Sequence, residues 1–343
     1  LAALLLGLFS LALAAPEAAA REAVARWLRG ELSPRLEEVL RAPPEEAPRL
    51  LERFALFPPP PDGLTVNLES PEVEGNRVSF PAALGAEVGE AVVAQRERGY
   101  REVVVVLEGG EARRVYFRPE GLGVPAYLLT PLAGFGFFLL SLFWVFLLLR
   151  PSPFRAWLLE AWALVRSQRG LYLFTNLFLY GLFALGSLLA YAMPELARAV
   201  QVLFGGALEA IGLQEAVGKG VLVLAGVIFH WNFSQGLFLT GLLPALLLGV
   251  PVLLLNALRY FAFGFALSPA LLGSAFLFHL PTLLLELRAY ILVPCGGLVL
   301  LAWVAGGQGY REGLKGLLLA FYLGALFLLA AAWYEAWEVV FLL

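Results

Sequence analysis

An uncharged stretch, AYLLTPLAGFGFFLLSLFWVFLLL at residues 126–149, is the feature that most constrains what this chain can fold into. A helix needs about 20 apolar residues to cross the ~30 Å hydrocarbon core of a bilayer. This stretch meets that requirement without one ionisable side chain. It therefore predicts a first transmembrane span at residues 126–149.

The composition of the whole chain points the same way. The 343 residues are 60% hydrophobic and only 15% charged, with a mean hydropathy of +0.79, whereas soluble domains carry about 25% charged residues. The net charge of -3 hides an asymmetry, because most ionisable residues precede Pro125 and the long apolar runs follow it. We therefore predict an integral membrane protein with a polar N-terminal body.

Basic residues after the first span predict its orientation. They are Arg150, Arg155, Arg166 and Arg169. An excess of Lys and Arg marks the cytoplasmic side of a membrane. We therefore expect residues 16–125 to be extracytoplasmic and residues 150–170 to be cytoplasmic or interfacial.

The cytoplasmic segment 150–170 is amphipathic. One helical face carries its apolar residues, Phe154, Trp157, Leu158 and Val165. The pattern fits a helix lying flat on the inner leaflet. It fits equally a helix packed on the protein's own bundle, and the sequence does not separate the two interpretations.

The rest of the chain, 171–343, supplies five further spans. The apolar tracts 221–268 and 270–304 are each too long for one span. We place helix breaks at Pro244, Gly249, Pro251 and Pro281, with a short half-helix at 271–278. The spans are then predicted at 171–193, 221–249, 252–267, 283–304 and 317–340, which gives six in all.

The N-terminal region begins with the apolar run LAALLLGLFSLALAA, residues 1–15. It resembles a secretory signal peptide with an A-x-A cleavage site, the alternative being an uncleaved anchor. Residues 16–62 are rich in Ala, Glu, Leu and Arg, and we expect two short helices there. The segment ends in four prolines, Pro58 to Pro61, which predict a stiff extended connector.

Residues 63–124 alternate like strands. We predict strands at 64–70, 76–80, 102–107 and 112–117, with a Gly-Gly hairpin turn in EGGE at 108–111 and a helix at 85–100. The fold class is therefore an all-α polytopic membrane helix bundle of about six spans, preceded by a small α+β extracytoplasmic domain.

Residues for catalysis or metal binding are sparse. Cys295 is the only cysteine, and His230 and His279 are the only histidines, so no zinc, haem or iron-sulfur spacing exists. No predicted span contains two Asp residues or an HExxH motif, and the span at 221–249, which has His230 and Ser234, has no Asp to complete a triad. We expect no cofactor, no metal and no enzyme activity.

Charges inside the predicted spans are the main candidate site. Thr282, Glu286, Tyr290 and Gly297 fall within about 60° of His279 around the helix axis at 100° per helical residue. An intramembrane charge costs about 2.5 to 3.5 kcal/mol at the helix centre, so it usually has a partner or faces water. Arg288 is about 200° from Glu286 around the same helix and points to the other side.

The preceding span has its own polar face, formed by Asn256, Arg259 and Tyr260. We expect Arg259 to meet Glu286, with Asn256 and Tyr290 satisfying the remaining hydrogen-bonding groups. Arg288 either reaches the outer headgroups or pairs with another segment.

Two interpretations of this polar site stay open. It either fixes the packing of two helices, or it forms a polar cavity for an ion, a lipid headgroup or a partner helix. For the last span we expect an aromatic belt of Trp333, Tyr334 and Trp337, with Glu335 and Glu338 exposed.

Several motifs carry a resemblance to a known family. They are LYLFTNLFLYGLFALGSLL, FHWNFSQ, LLGVPVLLLNALRYFAFGF and LPTLLLEL. In their order and in Asn256, Pro281, Glu286 and Leu287, residues 166–343 resemble the stage II sporulation protein M family of integral membrane proteins. The chain departs from that family at Thr282, where members commonly have His.

The resemblance implies a membrane component that acts with peptidoglycan-degrading enzymes and has no known catalytic residues. We therefore expect a non-enzymatic scaffold or anchor of a cell-envelope complex in the cytoplasmic membrane. The alternative is a transporter or channel component for an ion, lipid or small solute, using the site around Arg259 and Glu286. The expected partners are the lipid bilayer, a membrane or cell-wall protein and a further copy of the chain, and nucleic acid is not among them.

Overall fold

The computed structural model describes residues 16–85, 102–118, 124–210 and 212–342, and these form two compact units. One unit contains the chain up to Ala126 together with Arg198–Leu213, and the other contains Tyr127–Ala197 and the chain from Gln214 onward. The predicted signal peptide at 1–15 and nearly all of the helix predicted at 85–100 lie outside the described residues.

The first unit combines helices with an antiparallel sheet. Its helices are α1 (16–28), α2 (Leu36–Arg41) and α3 (Ala47–Leu56). Its strands are β1 (Leu64–Val66), β2 (Glu72–Glu74), β3 (Arg77–Leu84), β4 (Glu102–Glu108) and β5 (Glu111–Arg118). The strand order is β1-β3-β4-β5, and β2 pairs with β3. Three helical stretches therefore precede the sheet, where the sequence predicted two.

The β4–β5 hairpin follows directly from its sequence. Gly109 and Gly110 have φ values of 62° and 88°, the left-handed pair that a two-residue hairpin turn requires and that glycine adopts without strain. The register pairs Glu108 with Glu111 and Val105 with Val115. The predicted Gly-Gly turn is confirmed.

Helix α1 contributes to the hydrophobic core of the sheet. This core contains Ala20, Ala23, Val24, Trp27, Val78, Phe80, Ala82, Val103, Val105, Leu107 and Val115. The indole Nε1 of Trp27 donates a hydrogen bond of 2.6 Å to the Pro58 carbonyl. Residues 58–61 belong to neither a helix nor a strand, and the Trp27 hydrogen bond connects Pro58 to this core.

Among the residues that the structure describes, the second unit contains six helices that are long and apolar enough to cross a membrane. Their ranges are Pro131–Leu149, Arg169–Ala192, Val221–Ala245, Val250–Leu272, Ala275–Ala305 and Tyr310–Phe341. This fits a multi-pass membrane protein, and the number agrees with the six predicted spans.

We label the helical elements of this part of the chain in order. They are α4 (Pro131–Leu149), α5 (Pro153–Ser167), α6 (Arg169–Ala192), α7 (Pro194–Ala210), α8 (Leu213–Val217), α9 (Val221–Trp231), α10 (Leu243–Ala245), α11 (Val250–Ala266), α12 (Pro269–Leu272), α13 (Ala275–Ala305) and α14 (Tyr310–Phe341). Residues Asn232–Leu242, between α9 and α10, form a π-helix, which we call the π segment.

Helix α5 packs on the bundle. Ala161 and Val165 are buried in a cluster with Leu292 of α13 and Leu323 of α14. The Tyr322 hydroxyl donates a hydrogen bond of 3.0 Å to the Phe154 carbonyl. The amphipathic pattern is therefore used against the protein's own helices, the second of the two interpretations.

The chain turns sharply between α10 and α11. Pro244 lies in the short helix α10, Leu248 and Gly249 have φ values of 62° and 77°, and Pro251 lies in the first turn of α11. A Cβ atom on Gly297 would lie only 2.6 Å from the Gly249 Cα. The turn thus lies against the backbone of α13.

The predicted helix break at Pro281 is wrong. It lies inside α13, which is continuous from Ala275 to Ala305, so no half-helix occupies 271–278. A proline inside a membrane helix is tolerated when neighbouring groups satisfy the backbone atoms around it. Here the Tyr334 hydroxyl of α14 donates a hydrogen bond of 3.1 Å to the Phe278 carbonyl.

Candidate functional site

Four elements of the helix bundle supply a buried polar network. The π segment contributes Thr240, and α11 contributes Asn256, Arg259 and Tyr260. Helix α13 contributes His279, Thr282, Glu286 and Tyr290, and α14 contributes Glu335 and Glu338. The side chains fall into an Arg259 group and a Glu338 group, with Glu286 interacting with both.

The guanidinium of Arg259 has three neighbours. It donates hydrogen bonds of 2.5 Å to Thr240 Oγ1 and 3.2 Å to Asn256 Oδ1. Its central carbon lies 4.5 Å from the centre of the Tyr290 ring, a cation-π contact. Arg259 therefore joins α11 to the π segment and to α13.

The predicted direct pair between Arg259 and Glu286 is not formed. Among the described residues, no ion pair joins the two side chains, although they interact electrostatically at longer range. Thr240 and Asn256 take hydrogen bonds from the guanidinium, and the Tyr290 ring lies against it. The sequence analysis missed Thr240, because a threonine in an apolar tract carries no signal of its own.

Tyr290 occupies a space that a glycine leaves open. A Cβ atom on Gly236 of the π segment would lie 2.4 Å from the Tyr290 hydroxyl oxygen. Tyr290 is buried, and its side chain interacts with Glu286 one turn earlier on α13. The prediction that Tyr290 joins this polar group therefore agrees with its position.

Asn256 and Tyr260 are buried and hold backbone atoms. The Asn256 Nδ2 donates a hydrogen bond of 2.9 Å to the Val252 carbonyl, and the Tyr260 hydroxyl donates one to the Leu287 carbonyl of α13. Of these two hydrogen bonds, that of Tyr260 joins α11 to α13, whereas that of Asn256 stays within α11. Arg288 points to the other side of α13, where it interacts electrostatically with Tyr180 of α6.

Glu338 is the centre of the second group. Its side chain is fully buried, and its Oε2 accepts a hydrogen bond of 2.8 Å from Thr282 Oγ1. Its Oε1 lies 3.0 Å from Nδ1 of His279. His279 and Thr282 therefore share a face of α13, as their spacing predicts, and that face meets α14.

This geometry corrects the prediction that Glu335 and Glu338 are exposed. Glu338 is buried, and Oε2 of Glu335 is buried without a hydrogen bond from any described residue. The two carboxylates are three residues apart and lie on one face of α14. That i, i+3 spacing is the sequence feature that could have predicted a shared face for these two residues.

Glu286 lies between the two groups and is only partly buried. It interacts electrostatically with Arg259 and with His279, and Glu335 is close enough to be affected by its charge. The network thus contains three carboxylates beside one guanidinium and one imidazole. Such clusters bind protons or cations, or else fix helix packing.

Metal ligation has little support in the described part of the chain. No three His, Cys, Asp or Glu side chains there are arranged to hold a metal ion. Cys295 is a buried free thiol. Comparison with known proteins adds no assignment: no family model, no curated protein and no solved structure matches this chain.

Proposed function

We propose that the protein is a non-enzymatic, multi-pass protein of the cytoplasmic membrane that anchors a cell-envelope complex. The six apolar helices support the multi-pass part of this proposal. The four arginines between α4 and α6 support a cytoplasmic position for α5. The resemblance of residues 166–343 to the stage II sporulation protein M family supports the envelope role.

The contact pattern agrees with this topology. Residues up to Ala126 and residues Arg198–Leu213 belong to one compact unit. In a six-span path these two segments lie on the same side of the membrane, because α4 and α6 separate them. The Arg114 guanidinium donates a hydrogen bond to the Gly206 carbonyl within that unit. The extracytoplasmic region is therefore proposed to include both segments.

One observation supports the anchor function: most side chains of the polar network form hydrogen bonds that join one helical element to another. Arg259, Tyr260 and Glu338 each bind a side chain or a carbonyl on another helical element. A helix bundle joined by these hydrogen bonds is suited to act as a rigid anchor. The α+β unit, which has its own core, is suited to bind a partner.

The test is capture of the tagged full-length protein from native membranes in mild detergent, with mass spectrometry of what accompanies it. We expect peptidoglycan-remodelling enzymes with the full chain and their loss when residues 16–125 are deleted. Thermal unfolding of the shortened protein serves as the control that its helix bundle is intact. Absence of a stable partner would contradict the proposal.

A second function, membrane transport, is favoured by the two carboxylates that the network does not fully engage. Glu335 has a buried oxygen that accepts no hydrogen bond from the described part of the chain, and Glu286 is partly exposed. The adjacent π segment adds to this, since π-helical turns occur frequently at functional sites. Intramembrane ionisable residues of this kind often mark a proton or ion path.

Flux in proteoliposomes tests this second function. Proton and sodium flux would be measured for the wild type and for Glu286→Gln, with Glu312→Gln as the matched control. Glu312 lies at the start of α14, where it forms an exposed ion pair with Lys315. If the protein is a transporter, the wild type and Glu312→Gln should give flux and Glu286→Gln should give none. No flux in the wild type would exclude it for these ions.

A further inference from the structure

The bundle contains an apolar cleft that no part of the polar network uses. A cavity of about 300 Å³ lies between α4, α14 and the α9–π segment region. Its lining includes Phe137, Leu140 and Trp144 of α4, Phe233 of the π segment, and Ala325 and Leu329 of α14. Side chains from separate helical elements therefore build one apolar volume that is partly open to the outside.

Most polar atoms along this lining are engaged by the protein; the exception is the buried Nε1 of Trp144, which donates a hydrogen bond to no described residue. Ser141 Oγ donates a hydrogen bond of 2.8 Å to the Phe137 carbonyl and accepts one of 3.1 Å from Trp333 Nε1. The Tyr322 hydroxyl donates to the Phe154 carbonyl. A polar ligand would lose its hydrogen bonds to water here without full replacement, so the cleft favours a hydrocarbon occupant.

The cleft opens on the surface of the bundle that α4 presents outward. Leu140, which lines it, is 55% exposed. Leu142 and Phe143 beside it are also more than half exposed. In a membrane, as the proposed function requires, lipid chains cover this surface, so the cleft is continuous with the lipid-facing side of α4.

A second cavity of about 180 Å³ extends the first one along α4. The two share Phe137, Phe229 and Phe233, and the second continues to Leu128 and Ala133 near the start of α4. From Ala133 to Trp144 the helix rises about 16 Å, which is roughly half the thickness of the hydrocarbon core. The two cavities therefore follow about 16 Å of α4, a length that part of one lipid chain can occupy, and His230 is the one acidic or basic residue on their lining.

We propose that this cleft binds the hydrocarbon chain of one membrane lipid, which enters from the outer-leaflet side and lies along α4 between α14 and the π segment. The chain would contact the ring faces of Phe137 and Phe233. It would be held apart from the exchanging lipids around the bundle. This proposal rests on the membrane location in the proposed function and is independent of the anchor role.

The test uses the full chain in phosphatidylcholine vesicles that contain a phospholipid with a photoreactive group in its acyl chain. After the lipids around the bundle are stripped by detergent exchange, irradiation and peptide mapping locate the lipid that remains. We expect the label on the lining residues and none at exposed Leu142. Label spread evenly over the exposed faces, or no retained lipid, would overturn the proposal.

A matched pair of variants sharpens the test. Ala325→Phe fills the cleft, whereas Ala330→Phe adds the same ring to an exposed position on the same helix. We expect about tenfold less retained lipid for Ala325→Phe and no change for Ala330→Phe, since the excluded methylene groups lose their burial. Equal retention in the two folded variants would contradict the proposal.

Membrane extraction with alkaline carbonate separates failure of this inference from failure of the proposed function. Protein that stays in the membrane but retains no lipid contradicts the cleft alone. Protein released by carbonate contradicts the membrane location itself. If Ala325→Phe does not fold, the labelling pattern of the wild type still decides the proposal.

Discussion

Thr282 Oγ1 donates a hydrogen bond of 2.8 Å to Oε2 of Glu338, 56 residues further along the chain. It is one of the contacts that connect the polar face of α13 to α14. The carboxylate is fully buried, and His279 lies at its other oxygen. Both oxygens of the Glu338 carboxylate therefore contact side chains of α13.

The first prediction concerns this hydrogen bond. Thr282→Val keeps the shape of the side chain and removes the donor, which leaves one buried oxygen of Glu338 without its partner. We expect a loss of about 1 to 3 kcal/mol in the free energy of unfolding, since an unsatisfied buried acceptor costs that much or more when charged. Thermal unfolding in detergent measures it.

Thr282→Ser is the control, because serine restores the hydroxyl with little loss of packing. We expect it to recover most of the stability that valine loses. Equal destabilisation by serine and valine would mean that the methyl group matters and the hydrogen bond does not.

The elements that the sequence predicts well are those whose signal is local. The uncharged run at 126–149 corresponds to α4, and the strands around Gly109 and Gly110 form the predicted hairpin. Length, composition and turn chemistry are sufficient for both. These features do not depend on which helices are neighbours.

The polar site was only partly predictable because its contacts depend on helix register. The spacing of His279, Thr282 and Glu286 gives a common face, but it does not show that Glu338 faces the first two. Near Trp333 and Trp337, two glutamates look like residues of a membrane interface. Only the alignment of the long helices α13 and α14 places Glu338 against Thr282.

The error at Pro281 has a similar origin. Proline removes the hydrogen bond from its own nitrogen to the carbonyl four residues earlier and so predicts a break, yet α13 continues through Pro281. A sequence shows the lost donor and does not show that α14 lies beside this part of α13, where the Tyr334 hydroxyl donates to the Phe278 carbonyl.

The second prediction separates the contribution of the Tyr290 ring, which contacts Arg259, from that of the Tyr290 hydroxyl. Tyr290→Phe keeps the ring under Arg259, whereas Tyr290→Leu removes it. A cation-π contact away from water contributes up to about 2 kcal/mol. We therefore expect Tyr290→Leu to lower the free energy of unfolding by about 1 to 2 kcal/mol more than Tyr290→Phe.

A double-mutant cycle with Arg259→Met tests the origin of that difference. The extra cost of leucine over phenylalanine should largely disappear when the guanidinium is absent. If it persists unchanged, the difference comes from the volume of the ring alone.

The third prediction concerns the close approach of α13 to the turn before α11. Gly297→Ala would place a Cβ atom 2.6 Å from the Gly249 Cα, and backbone atoms must move to accept it. We expect a loss of about 1 to 3 kcal/mol, as for other overpacked sites. The thermal unfolding midpoint in detergent is the measurement.

Gly181→Ala is the matched control within α6. A Cβ atom there meets no neighbour within 4 Å, and alanine favours helix more than glycine by up to about 1 kcal/mol. We expect unchanged or slightly raised stability. Similar destabilisation by the two variants would show that the Gly249 contact is not what makes Gly297 sensitive.

The fourth prediction concerns Trp27, which joins α1 to the end of the four-proline connector in the first unit. Trp27→Ala empties a fully buried site and should cost about 3 to 5 kcal/mol. Trp27→Phe keeps most of the ring volume and loses the donor to the Pro58 carbonyl. Ser33 Oγ also donates to that carbonyl, at 3.4 Å, so phenylalanine should cost only about 1 to 2 kcal/mol.

Pulse proteolysis of the full-length protein in increasing urea measures both variants through cleavage within residues 16–118. Trp27 of α1 is part of the core of the sheet, so α1 and the strands after the prolines should unfold together. Cleavage of α1 at lower urea than the strands in the wild type would contradict a shared core, whatever the two variants do.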